Sequence, residues 1–198
     1  MYKKKVNFFL LLLIISFVYT PVNSLEPNIF VQSTVNRASQ ILSNNISKDQ
    51  KIEMLKIVAN ETVDIKGIGL YTLGKYRKEI NESEKKKYNE LFKKYFLKTF
   101  SSRLAEYSNP KIEVQSQEVI NKNYTIVSSV LVATDERPEV KIDWRIYTKN
   151  PDKPMIRDLI ISGLSLARTQ KEEFGSIMQS NDGKIDILFQ NLEKFINN

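Results

Sequence analysis

The chain has 198 residues and a net charge of +7, from 30 Lys and Arg against 23 Asp and Glu, and it contains no Cys and no His. Those two absences exclude disulfides, zinc sites of the His/Cys kind, Ser-His-Asp and Cys-His nucleophile arrangements and histidine acid–base chemistry. The length fits one domain with a proper core, and its stability has to come from packing alone.

The chain opens with Lys3, Lys4 and Lys5, then an apolar run from Phe8 to Tyr19, then Val22-Asn23-Ser24. A basic start, a short apolar stretch and small residues before a cut describe a secretory signal peptide over residues 1–24. An uncleaved anchor would need about 20 apolar residues, and Pro21 interrupts the run early. The expectation is an exported protein whose mature domain spans residues 25–198. Loss of the three lysines takes the charge from +7 to +4. That mild bias suits anionic membrane surfaces or acidic protein partners, and export sets nucleic acid aside.

In the mature chain Pro27 opens a helix in which Val31, Val35, Ala38 and Ile41 recur at helical spacing. Ser47-Lys48-Asp49-Gln50 has the spacing of a capping box ahead of Ile52, Leu55 and Val58. A third apolar segment, Ile65 to Tyr76, contains Gly67, Gly69 and Gly74. Glycines clustered there mark either tight helix packing or the close approach of a ligand. The longest helix follows Asn81-Glu82-Ser83-Glu84 and runs to about Tyr107, before Asn109-Pro110 stops it. Its apolar face is Tyr88, Leu91, Phe92, Tyr95, Phe96, Phe100, Leu104 and Tyr107, an aromatic stripe. Lys85, Lys86, Glu90, Lys93 and Lys94 form the solvated side.

After Pro110 the period changes to two. Lys111 to Ile120, Tyr124 to Thr134, Val140 to Thr148 and Met155 to Ser162 read as four strands, and the short connections require an antiparallel meander. Val140, Ile142, Trp144 and Ile146 alternate with Lys141, Asp143, Arg145 and Tyr147, giving one dry face and one wet face. Leu166 to Gln179 and Ile185 to Ile196 read as two closing helices around the turn Asn181-Asp182-Gly183. The fold class is α+β, with helices covering the dry face of a four-stranded sheet. Such a layout encloses either a solid core or a cavity.

Leu73-Gly74-Lys75-Tyr76, the capped helix ending in Leu104-Ala105-Glu106-Tyr107, Val140-Lys141-Ile142-Asp143-Trp144, and Asp158-Leu159-Ile160-Ile161-Ser162-Gly163-Leu164-Ser165-Leu166 with Phe174 together resemble the MlaC-type periplasmic phospholipid carriers. These are also described as toluene-tolerance or ABC-transporter auxiliary proteins. The resemblance covers nearly all of the mature chain in order. It implies helices packed on a curved, cone-like sheet and an apolar cavity that takes the acyl chains of a diacyl phospholipid, with no cofactor and no catalysis. It also implies a monomer working between an inner-membrane MCE-domain ABC transporter complex and an outer-membrane lipoprotein–porin complex, in the maintenance of lipid asymmetry.

On that resemblance the pocket residues are Leu70, Leu73 and Tyr76, then Phe92, Phe96 and Phe100 of the aromatic stripe, and Val130, Val132, Ile142, Trp144, Ile146 and Ile161 of the strands. Phe174 and Met178 complete the set, and Leu164 and Leu166, beside Gly163 at the junction of the last strand with a helix, either form the pocket rim or belong to a turn in which they only pack. Two other readings stay open at this point. One is a secreted cone-fold isomerase or dehydratase using Asp143, Asp158 or Tyr147. The other is a periplasmic adaptor whose aromatic stripe simply fills a core.

Overall fold

The computed structural model describes residues 25–135 and 137–198, so the expected signal segment 1–24 lies outside the described residues. Helix α1 (Pro27–Ser43) starts on the proline, whose fixed φ and missing N–H suit a first helical position. Helix α2 (Lys48–Thr62) starts on the expected capping box: the Gln50 N–H donates to Ser47 Oγ and the Ser47 N–H to Gln50 Oε1. Helix α3 (Ile65–Thr72) is capped by the Asp64 carboxylate, which accepts from the Gly67 N–H at 2.9 Å. The apolar segment that reads as continuous from Ile65 to Tyr76 breaks after Thr72. Gly74 takes φ +57° and turns the chain into a 3₁₀ turn, Gly74–Lys78.

Helix α4 (Glu82–Leu104) has a second capping box, Asn81 with Glu84, and stops three residues short of the expected Tyr107. Its last turn loosens over Ala105–Tyr107, where the Tyr107 N–H donates back to the Leu104 carbonyl. Gly69 explains the glycine cluster in part. A Cβ there would stand 2.8 Å from the Phe92 ring, so α3 can approach α4 this closely only without a side chain.

The sheet runs β1 (Ile112–Asn121), β2 (Tyr124–Leu131), β3 (Val140–Tyr147), β4 (Met155–Ile161) and β5 (Leu164–Ser165), in that spatial order and antiparallel throughout. The fifth strand corrects the expected four. Ser162 and Gly163 both take positive φ, 49° and 86°, the signature of a type I′ hairpin. That turn folds Leu164 and Ser165 back onto Ile161 and Ile160. Irregularities in the β1 and β4 registers interrupt the ladder, and bulges of this kind bend a sheet. Helices α5 (Leu166–Gln179) and α6 (Ile185–Asn197) close the chain.

The dry face of the sheet carries Val127, Ile142, Trp144 and Ile146, all buried. Two apolar clusters form against it. The larger joins α1, α3, α4, α5 and α6 to the sheet through Tyr88, Phe92, Phe174, Leu188 and Leu192, among others. The smaller joins Ile41 and Leu42 of α1 to Leu55 and Val58 of α2, with Leu104 of α4 against them.

Candidate functional site

An apolar pocket of about 160 Å³ lies on the seam between the two clusters. One wall is helical, from Val35, Ala38 and Leu42 of α1 and Leu55, Val58 and Ala59 of α2. The other is the dry face of the sheet, from Ile112, Leu131, Val140, Ile142, Trp144, Leu159 and Ile161. Phe100, Leu104 and Tyr107 close the side where α4 ends.

Burial grades along this pocket and gives it a direction. Leu42, Leu55, Val58, Ala59, Val63 and Ile156 are buried, whereas Leu104, Pro110, Leu131, Val140 and Ile161 are half-buried and Tyr107 is exposed. The mouth therefore lies between the end of α4 and the β2–β3 end of the sheet. The opposite end is fastened. The Asp64 N–H donates to the Ile156 carbonyl at 2.9 Å, and Val63 bridges Ile156. Arg157 clamps the same corner: its Nε donates to Asp64 Oδ2 at 2.7 Å, its Nη1 to the Tyr124 hydroxyl at 2.8 Å, and its guanidinium lies 3.7 Å above the Tyr147 ring.

The polar groups around the pocket are already satisfied. Thr34 and Thr62 line it, but their hydroxyls donate to the Phe30 and Val58 carbonyls one turn back, so they present methyl groups. Ser39 donates to the Pro110 carbonyl. Trp144 Nε1 donates to Ser129 Oγ at 2.8 Å, and Ser129 donates to the Ile142 carbonyl. What remains of the buried lining offers hydrocarbon surface, which suits an apolar ligand, while the Tyr107 hydroxyl belongs to an exposed residue at the mouth.

Of the residues expected to form a pocket, the structure brings Phe100, Ile142, Trp144 and Ile161 to this one. Leu73, Tyr76, Phe92, Ile146, Phe174 and Met178 lie in the larger core cluster, and Phe96 packs against it while stacking on Phe100 at 5.5 Å between centroids. Leu70 is half-buried on α3. Val130 is buried, but it opposes Lys141 and Glu113 and so belongs to the other face of the sheet from Ile142. Val132 follows the end of β2, where its N–H donates to the Lys111 carbonyl. Leu164 and Leu166 stand exposed at 59% and 42% beside the β4–β5 turn, away from the lining.

The α1 and α2 walls are absent from that expected set. Their signal in the sequence is the small residue inside an apolar stripe: Ala38 and Ala59 occupy positions where a large side chain would fill the space.

The carboxylates considered for acid–base work do not converge on the pocket. Asp143 lies on the wet face, accepting from Ser128 Oγ at 2.7 Å and pairing with Lys141. Asp158 is buried and occupied, accepting from Ser165 Oγ at 2.6 Å and from the Ala167 N–H at 3.0 Å where α5 begins. Tyr147 lies under Arg157. Among the described residues no group of three His, Cys, Asp or Glu is placed to hold a metal ion.

Comparison with known proteins places the chain. The MlaC protein family model matches residues 32–194. The chain belongs to the MlaC family. Among solved structures it is similar to a phospholipid-binding protein from Ralstonia solanacearum, determined in complex with a phospholipid. The TM-score is 0.73 at 18% sequence identity, over 87% of this chain and 98% of that one. The helix-on-sheet fold is thus shared with that structure.

Proposed function

We propose that this MlaC-family protein is a carrier that holds a diacyl phospholipid with its acyl chains between α1–α2 and the sheet. The observation that carries the reading is the pocket on the seam, walled by hydrocarbon, with the Thr34, Ser39, Thr62 and Trp144 polar groups bonded within the protein. Membership of the family and likeness to a structure with a bound phospholipid support it. The occupation of Asp143, Asp158 and Tyr147 in structural bonds favours a carrier over an enzyme.

Size adds a mechanical condition. A cavity of about 150 Å³ holds a benzene-sized molecule, whereas sites for drug-sized ligands run from about 300 to 1,000 Å³. A pocket of about 160 Å³ therefore has to widen around two acyl chains. Widening is cheapest at the mouth, because the opposite end is fastened through Asp64, Ile156 and Arg157.

Energetics then set how lipid travels. Burying hydrocarbon gains about 0.8 kcal/mol per CH₂, so acyl chains of on the order of 30 carbons are stabilised by roughly 20 kcal/mol relative to water. A lipid so held does not leave into the aqueous phase but passes directly from one apolar site to another. The sequence has no G-x-x-x-x-G-K-S/T loop, so direction comes from the partners. We assign as partners the inner-membrane MCE-domain ABC transporter complex and the outer-membrane lipoprotein–porin complex. The protein then works in the periplasm after cleavage behind Ser24, which N-terminal sequencing of the exported protein tests.

Native mass spectrometry of protein purified from bacterial periplasm without detergent tests the carrier reading. Close to one diacyl phospholipid per chain is expected, and consistently empty protein would overturn it. Lipid-loaded protein mixed with an isolated empty acceptor domain is expected to transfer its cargo without ATP, while buffer alone releases almost none.

A further inference from the structure

The mouth of the pocket carries a cation with a defined seat. Arg137 lies in the connection between β2 and β3, and the two residues that line the pocket on either side of that connection are Leu131, which ends β2, and Val140, which begins β3. The backbone of Arg137 is fixed by a reciprocal pair of hydrogen bonds: the Thr134 N–H donates to the Arg137 carbonyl at 2.8 Å and the Arg137 N–H to the Thr134 carbonyl at 3.2 Å. Its guanidinium carbon stands 5.0 Å from the centroid of the Tyr107 ring. Tyr107 is the exposed member of the pocket lining, so one aromatic ring joins the hydrocarbon interior to a charged group outside it.

We propose that Arg137, seated on Tyr107, is the residue that binds the phosphodiester of the lipid head group. This rests on the carrier reading and adds a second requirement to it, a phosphate as well as acyl chains. The argument is one of amphiphile geometry. When acyl chains fill the apolar seam, the first charged atoms of a phospholipid, its phosphate oxygens, have to stop where the lining gives way to solvent. Tyr107 and the Leu131–Val140 hairpin mark that boundary. A guanidinium held near a ring face, here with its carbon 5.0 Å from the Tyr107 centroid, keeps a planar fork of N–H donors that matches two phosphate oxygens. Among the described residues no side chain accepts a hydrogen bond from that fork, and no carboxylate lies within 4.0 Å of it. Lys111, the neighbouring cation on the Pro110 side, is by contrast paired with Glu113 at 2.7 Å. The strand pairing of Leu131 with Val140 keeps the hairpin in register with the mouth, so Arg137 can follow the rim as the pocket widens.

The test is uptake from vesicles by the full mature chain, comparing a phosphatidylethanolamine/phosphatidylglycerol mixture with the same vesicles doped with diacylglycerol, which has the acyl chains and no phosphate. Arg137→Gln is expected to lower phospholipid loading about tenfold, the loss of a charge-assisted pair, while diacylglycerol loading and the thermal midpoint stay at wild-type values. Arg137→Lys keeps the charge without the fork and is expected to lie between. Equal loading of wild type and Arg137→Gln with phospholipid overturns the proposal and leaves the carrier reading standing. A wild-type chain that loads neither lipid overturns the carrier reading itself. Equal losses of phospholipid and diacylglycerol in Arg137→Gln also overturn the proposal, because the residue then shapes the mouth and does not read phosphate. Inorganic phosphate separates the two sources of the same chemistry: it is expected to leave the Arg137 side-chain NMR signals of the lipid-free chain unmoved at millimolar concentration. A shift as large as that caused by lipid would make this a free-anion site and overturn the assignment to a head group.

Discussion

The two halves of α4 present one aromatic stripe to two different surroundings. Toward its start, Tyr88 and Phe92 stack on each other and meet Phe174 edge-on, at centroid distances of 5.7, 6.5 and 6.3 Å, in a filled core sealed by α3, α5 and α6. Toward its end, Phe100 and Leu104, with Tyr107 just beyond the helix, line the pocket, because the elements opposite are α1 and α2 with the small Ala38 and Ala59 in their lining. The same residue types thus serve rigidity in one half and accommodation in the other, and the partner elements decide which. Binding capacity here is written in the small residues across the gap more than in the large ones along the helix.

Truncating one ring from each half is the strongest test of that contrast. Phe92→Ala removes a buried ring, 2% exposed, from the filled half and should cost about 3–5 kcal/mol in denaturant unfolding. Phe100→Ala removes a half-buried ring beside space that already exists and should cost about 1–2 kcal/mol. Equal losses would mean that the second half is as tightly packed as the first.

Gly69 sharpens the same comparison from the α3 side. Gly69→Ala drives a methyl group into the Phe92 ring and should destabilise by about 1–3 kcal/mol, as overpacking does in a full core. A neutral result would show that the α3–α4 contact gives way, and the filled half would lose its distinction.

Much of the architecture was legible in the sequence for local reasons. The Ser47 and Asn81 capping boxes, Pro27 and the alternation of Val140 to Tyr147 are each decided by near neighbours, and each is found where those residues place it. Two features depended on backbone dihedrals that composition does not announce: the break at Gly74 and the Ser162-Gly163 hairpin that creates β5. The site was less legible still. Whether a large apolar residue lines a pocket or fills a core is settled by what stands across from it, so Phe92 and Phe100 read alike until α3 and the α1–α2 pair are in place. Val130 shows the related limit for strands, since its burial is evident but its face follows from pairing with Lys141.

A smaller effect should appear at alkaline pH. Burial holds the Tyr88 hydroxyl above its ordinary range, only partly offset by the 2.7 Å hydrogen bond it shares with Thr72. A raised native value means that the stability linked to this group is complete below about pH 10 and falls as pH rises beyond it, by up to about 1.4 kcal/mol per pH unit. Tyr88→Phe should lose about 1 kcal/mol at neutral pH with the hydrogen bond. It should also have a shallower decline between pH 10 and 11.5 in matched urea titrations. Parallel declines would place the hydroxyl in contact with water and open the filled half to solvent.

The smallest change in stability is expected from the most direct intervention in the pocket. Ala38 lines it on α1 and is half-buried, and Ala38→Leu adds hydrocarbon into space that exists already. In a full core such an insertion costs about 1–3 kcal/mol, whereas into a void it should change stability by no more than about 1 kcal/mol in either direction. Lipid should respond far more strongly than the fold, because the added side chain competes for the volume that acyl chains need as the α1–α2 wall moves off the sheet. Native mass spectrometry and urea unfolding on the same preparation read both quantities. An intact fold with little lipid would locate the acyl compartment on the α1 side of the seam. Full occupancy in an equally stable variant would mean that the chains enter elsewhere, and a loss of 2 kcal/mol or more would show that the seam is packed as densely as the aromatic half of α4.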